Sequence, residues 1–136
     1  MRVCAFIILA TSFAALPARA VPLPRYGIFL YSNECREQES DDAAGNFVKL
    51  TRTPKGDKVE YGWPEGPTEV VDTTDVQISS GKISFNVPPG TIYNHKDAHF
   101  EGTISATELR LSGEGVPDLL PRQPLNYKPK VCAPLP

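Results

Sequence analysis

From Tyr26 onward, apolar and polar residues alternate with a period of two, and Gly or Pro breaks the alternation at intervals. A period of two sends successive side chains to opposite faces of an extended strand, and no stretch repeats at the 3.6-residue spacing of a helix. The pattern predicts an all-β chain. Phe47 to Arg52 and Lys58 to Trp63 read as strands around a turn at Thr53-Pro54-Lys55-Gly56-Asp57, with Val48 and Leu50 packing on Val59 and Tyr61. After Thr68 to Asp72, a second hairpin turns at Ser80-Gly81-Lys82; its inward set is Val76, Ile78, Ile83, Phe85 and Val87, while Ser79, Ser84 and Asn86 face out. A third hairpin, His99 to Ile104 and Glu108 to Gly113, buries Phe100, Ile104, Leu109 and Leu111. Short strands joined by short turns make an antiparallel meander, which closes as a small barrel or a two-layer sandwich.

Two segments depart from this pattern. Tyr26 to Tyr31 is apolar or aromatic on both faces, so something must cover its second face. Residues 117–136 contain six prolines in twenty positions. Proline lacks an amide donor, so this tail is expected to be extended and polyproline-like, excluded from helices and inner strands, and wrapped over the outside of the first strand.

The start of the chain has a different character. Met1 and Arg2 precede an apolar run from Val3 to Leu16, and Pro17-Ala18-Arg19-Ala20 follows with small residues where a signal peptidase cuts. Residues 1–20 read as a secretory signal peptide. The run falls short of the roughly 20 apolar residues that cross a bilayer, and no later segment approaches that length. The expected mature protein therefore begins at Val21, comprises a β domain over 21–116 and the tail over 117–136, and is exported to the periplasm or the extracellular space.

Charge and cysteine content sharpen this reading. The chain has 14 basic and 16 acidic side chains, and loss of Arg2 and Arg19 with the leader moves the net charge from −2 to −4. That balance argues against nucleic acid, whose binding rests on basic contacts to phosphate, and no basic amphipathic segment is present for an anionic membrane surface. Cys4 leaves with the leader. Cys35 and Cys132 remain, and in an oxidising compartment they are expected to form one disulfide that pins the tail beside the first strand.

Candidate chemistry is sparse. Both histidines of the chain lie in Asn94-His95-Lys96-Asp97-Ala98-His99-Phe100-Glu101, where His95, Asp97 and His99 are the candidate metal ligands. In an extended strand His95 and His99 stand roughly 13 Å apart, too far to share one ion, and a solvated face accounts for them and for Glu101. The acidic run Glu34, Glu37, Glu39, Asp41 and Asp42 lacks the Asp-x-Asp-x-Asp-Gly form of a calcium loop, and Arg36 interrupts it. No Gly-x-Ser-x-Gly elbow occurs, and Pro121-Arg122-Gln123-Pro124 reads as stiffness in the tail.

These features point to a non-enzymatic exported β-domain, needing no cofactor, that binds a protein partner as an inhibitor or an envelope-associated accessory module. Glu37, Glu39, Asp41, Asp42 and Trp63 are its candidate contact residues: clustered charge steers association, and tryptophan is favoured at binding hot spots. Two alternatives stand beside it. The meander is similar in pattern to lipocalin-like barrels, which implies a small-ligand carrier with a pocket lined by Phe85, Phe100 and Leu111. The Gly-x-Trp near the first strand that marks lipocalins is absent at Tyr26-Gly27-Ile28, so no residue roles are carried over. The other alternative is metal capture through the loop carrying His95, Asp97 and His99.

Overall fold

In the computed structural model, which describes residues 19–63, 69–89, 98–113 and 118–134, the alternating segments are strands, and no helix occurs among the described residues. In chain order they are β1 (Gly27–Ser32), β2 (Cys35–Arg36), β3 (Ala43–Ala44), β4 (Phe47–Thr53), β5 (Gly56–Trp63) and β6 (Glu69–Asp72). There follow β7 (Thr74–Ser79), β8 (Lys82–Val87), β9 (Ala98–Ile104), β10 (Glu108–Ser112), β11 (Asp118–Gln123) and β12 (Lys130–Val131). Nine strands form one antiparallel sheet in the order β6-β5-β4-β1-β11-β10-β9-β8-β7. Its two outermost members, β6 and β7, are separated in the chain by Thr73 alone.

That single residue settles the choice between sandwich and barrel. The amide and the hydroxyl of Thr73 both donate to the carbonyl of Val59 on β5, at 3.1 and 2.9 Å. Both ends of the sheet are thus parts of one bent strand, which pairs with β5 through its first half and with β8 through its second. The sheet is nearly closed as a barrel. The bend falls where the β7–β8 register shifts between Thr74 and Gln77 and where Asp75 takes a φ of 53°, as an extra residue in one strand of a ladder requires. Close approach elsewhere in the wall depends on missing side chains. A Cβ on Gly102 would collide with the Arg110 carbonyl of β10, and one on Gly62 would fall on the Phe47 ring.

The predicted inward residues meet inside. Val48, Leu50, Val59, Tyr61, Ile83, Phe85, Val87, Phe100, Ile104, Leu109 and Leu111 are buried, with Val76 and Ile78 partly buried against them. Each such apolar side chain contributes on the order of 1.5–3 kcal/mol when fully buried, which makes this cluster the main stabilising feature. Phe29 and Tyr31 face inward from β1 and are buried as well. At the other end of that strand the chain closes the barrel base. Leu23 packs against the core, Ala106 N donates to Val21 O at 2.9 Å, and Arg52 Nη1 donates to Pro24 O at 3.2 Å.

The expectation that the tail stays out of the sheet fails in its first half. Asp118–Gln123 is an inner strand between β10 and β1, and Leu120 is fully buried. Pro121 is tolerated because of where its nitrogen points. Arg122 N donates to Thr107 O on the β10 side at 2.8 Å, so the neighbouring Pro121 nitrogen faces β1, where the ladder consists only of Leu30↔Gln123 and Tyr31↔Arg122. Side chains complete that seam. Gln123 Nε2 donates to Ser32 O at 3.2 Å, Arg122 Nη2 donates to Ile28 O at 3.3 Å, and the Arg122 guanidinium lies 4.6 Å over the Phe29 ring. Pro-x-x-Pro is therefore the end of a strand and the start of a turn, in which Tyr127 N donates to Pro124 O at 2.9 Å.

Among the described residues of the tail, 124–134 lie outside the barrel. This stretch returns as β12 and leaves Ile28 on the outer face of β1 exposed. No helix among the described residues is long and apolar enough to cross a membrane.

Candidate functional site

A second sheet, order β12-β2-β3, sits between β1 and β4 at one end of the barrel. Its strands are two residues long, too short to persist unaided, and Cys35 and Cys132 pair as a disulfide with Cα atoms 4.8 Å apart. Cys132 N also donates to Arg36 O at 2.7 Å. The crosslink spans 97 positions, and in the chain-entropy model such a loop stabilises the fold by up to roughly 4.7 kcal/mol.

The β2–β3 connection carries the acidic run. Glu37 N donates to Asp42 O at 2.8 Å and Asp41 N to Glu37 O at 3.1 Å, which turns the chain back on itself within six residues. The turn needs a left-handed residue. Asp41 supplies it at a φ of 57°, a conformation that Asp and Asn tolerate better than most residues. Ser40 ties the loop internally, its Oγ donating to Glu37 Oε2 at 3.1 Å and accepting from Asp42 N at 3.3 Å.

The result is a hairpin whose Glu37, Glu39, Asp41 and Asp42 are all exposed. Within this loop Arg36 Nη1 lies 3.5 Å from Asp41 Oδ1, and both side chains are more than half exposed. Such a pair is worth little, so the loop presents a field of negative charge.

Glu34 belongs beneath the loop. Its carboxylate accepts from the buried Ser32 hydroxyl at 3.1 Å and its carbonyl accepts from Tyr127 Oη at 2.9 Å. Burial pushes the Glu34 carboxyl above its usual range, opposed by the Ser32 hydrogen bond. Glu34 anchors the tail to the hairpin base.

Trp63 is placed with the core. It shares the inward parity of Val59 and Tyr61 on β5, is half-buried, and sits with its ring centroid 5.4 Å from that of Tyr61. Alternation along β5 was the signal for this position, since the residues two and four before Trp63 are both core residues.

His99 lies on β9 with its side chain exposed on the outer face. His95 and Asp97 lie outside the described residues. Among the described residues no group of three or more His, Cys, Asp and Glu side chains converges.

Phe85, Phe100 and Leu111 do face the barrel interior, where the rings pack on one another. Centroids are 5.5 Å apart for Phe85–Phe100, 5.0 Å for Tyr61–Phe100 and 6.0 Å for Tyr61–Phe85. Two cavities lie elsewhere, one of ≈ 470 Å³ under the segment from Ala20 to Leu23 and one on the outer face of β7, β8 and β9. Neither is lined by Phe85, Phe100 or Leu111.

Compared with models of protein families, with curated proteins and with solved structures, the chain matches none.

Proposed function

We propose that the chain is an exported, non-enzymatic β-domain that binds a protein partner through its acidic hairpin, acting as an inhibitor or as an envelope-associated accessory module. The observation that carries this reading is the display of Glu37, Glu39, Asp41 and Asp42 on a loop whose base is fastened by Cys35 to Cys132. A fastened loop loses little conformational freedom on binding, and clustered charge accelerates encounter with an oppositely charged surface. The partner is accordingly a protein with a basic contact face. The disulfide fits an oxidising compartment, which supports export, and the leader-like residues 1–20 give the route. Packing among Phe85, Phe100 and Tyr61, whose rings lie in mutual contact inside the barrel, favours this reading over the small-ligand carrier, because side chains that fill a small barrel do so in place of a ligand.

The test is the oxidised protein against its Glu37→Lys, Glu39→Lys, Asp41→Lys, Asp42→Lys variant, each immobilised and exposed to the exported fraction at two salt concentrations. The expected result is one basic protein retained by the native chain, released by added salt and missed by the variant. Equal capture by both chains would overturn the hairpin as the contact surface.

A further inference from the structure

The outer face of the barrel carries a hydrogen-bonded chain across three strands, remote in sequence from the acidic hairpin. Asn86 on β8 stands directly opposite His99 on β9, and His99 Nδ1 lies 2.6 Å from Asn86 Oδ1. On its other side Asn86 Nδ2 donates to Asp75 Oδ2 at 2.7 Å. Asp75 is the left-handed residue at the bulge of β7, and Thr74 Oγ1 donates to the same carboxylate oxygen at 3.4 Å. The bulge aims Asp75 at the amide.

Chemistry fixes every proton in this chain. An ionised carboxylate only accepts, so the amide group of Asn86 must present its NH₂ to Asp75 and its carbonyl oxygen to His99. A carbonyl oxygen also only accepts, so the 2.6 Å contact requires a hydrogen on His99 Nδ1. In the neutral ring the lone pair therefore resides on Nε2. A histidine that donates one ring N–H to a fixed oxygen and keeps the other nitrogen free is the arrangement that orients imidazole as a metal ligand.

A second donor stands on the same face. Glu101 is two positions along β9, both residues are exposed, and Cα atoms at that spacing are roughly 6.6 Å apart, a span that two side chains bridge by converging on one ion.

We propose that His99 Nε2 and Glu101 form a surface site for a divalent transition-metal ion of the zinc class, with Asn86 and Asp75 as positioning residues. An imidazole nitrogen and a carboxylate oxygen suit zinc, and the remaining coordination positions are open to water or to a donor from another molecule. The site is independent of the acidic hairpin and needs neither His95 nor Asp97.

Zinc titration of the metal-free oxidised protein, followed by calorimetry and by nitrogen-15 NMR of the histidine ring, tests this directly. Expected are one zinc per chain, an Nδ1–H tautomer for His99 before metal is added, and loss of saturable binding in His99→Ala. Glu101→Gln should weaken binding at least tenfold, and Asn86→Leu roughly 10- to 100-fold with scrambling of the tautomer, the size seen when such outer partners are removed. Unchanged binding in His99→Ala, binding abolished by His95→Ala alone, or an Nε2–H tautomer in the free protein would each overturn the site.

Discussion

The hydroxyl of Tyr31 donates to the main-chain carbonyl of Ser105 at 2.7 Å, joining two residues 74 positions apart across the inside of the barrel. Tyr31 is fully buried and Ser105 nearly so, and this contact ties β1 to the β9–β10 turn. The same turn is held by Ser105 Oγ, which accepts from Glu108 N at 3.1 Å. Removing the phenol oxygen alone should leave the Ser105 carbonyl buried and unpaired while preserving the ring. Tyr31→Phe is expected to lower unfolding free energy by about 1–3 kcal/mol, read from a urea transition with unchanged slope. A loss below about 0.5 kcal/mol would mean that the carbonyl has found water.

Tyr61 gives the fold a signature at high pH. Burial, with a smaller contribution from the Asp118 carboxylate, pushes its phenol from 10.0 up to about 12. Because the folded pKa is the higher one, the folded state holds the proton more tightly. The associated stability is complete below about pH 10 and is lost as pH rises through about 12, a span worth roughly 2–3 kcal/mol. Thermal melts between pH 9 and 12 should show Tm falling across this window, and Tyr61→Phe should flatten part of the fall. Tyr31, whose phenol burial also raises, and Lys58, raised by its hydrogen bond to Asp72, contribute to what is left.

The two halves of the tail have separable roles. A chain ending after Gln123 keeps β11 and loses β12, whereas one ending at residue 117 loses the strand between β10 and β1. With Cys35→Ser in both to avoid stray thiols, the first should stay folded, with lowered stability and little dye binding. The second should bind a hydrophobic dye strongly, since it uncovers Phe29, Tyr31 and the site of Leu120. Weak dye binding by both would mean that β11 is dispensable for closure.

Alternation made the barrel wall legible in the sequence, because each inward residue from Val48 to Leu111 is decided by its own strand. The tail was misread for a local reason. Six prolines outweighed the fact that Asp118–Gln123 contains only Pro121, and a strand with one proline is acceptable where that nitrogen faces a seam closed by side chains. The small sheet was invisible, since two-residue strands have no period and exist by virtue of the disulfide. The acidic residues were recognisable as a loop, though nothing in them revealed that Ser40 and Asp41 would shape it. His99 was seen, but not its partner. Asn86 shares its outward parity, and their apposition depends on register across a connection that periodicity does not measure.

β11, which closes the wall against β1, is also the last of the barrel strands along the chain. Any polypeptide is made from its N-terminus, so β1 emerges with one flank vacant and waits while some ninety residues follow it. Cys132 comes later still. The order of synthesis thus places the covalent lock after the closing strand, and the crosslink secures a wall whose last piece has already been made.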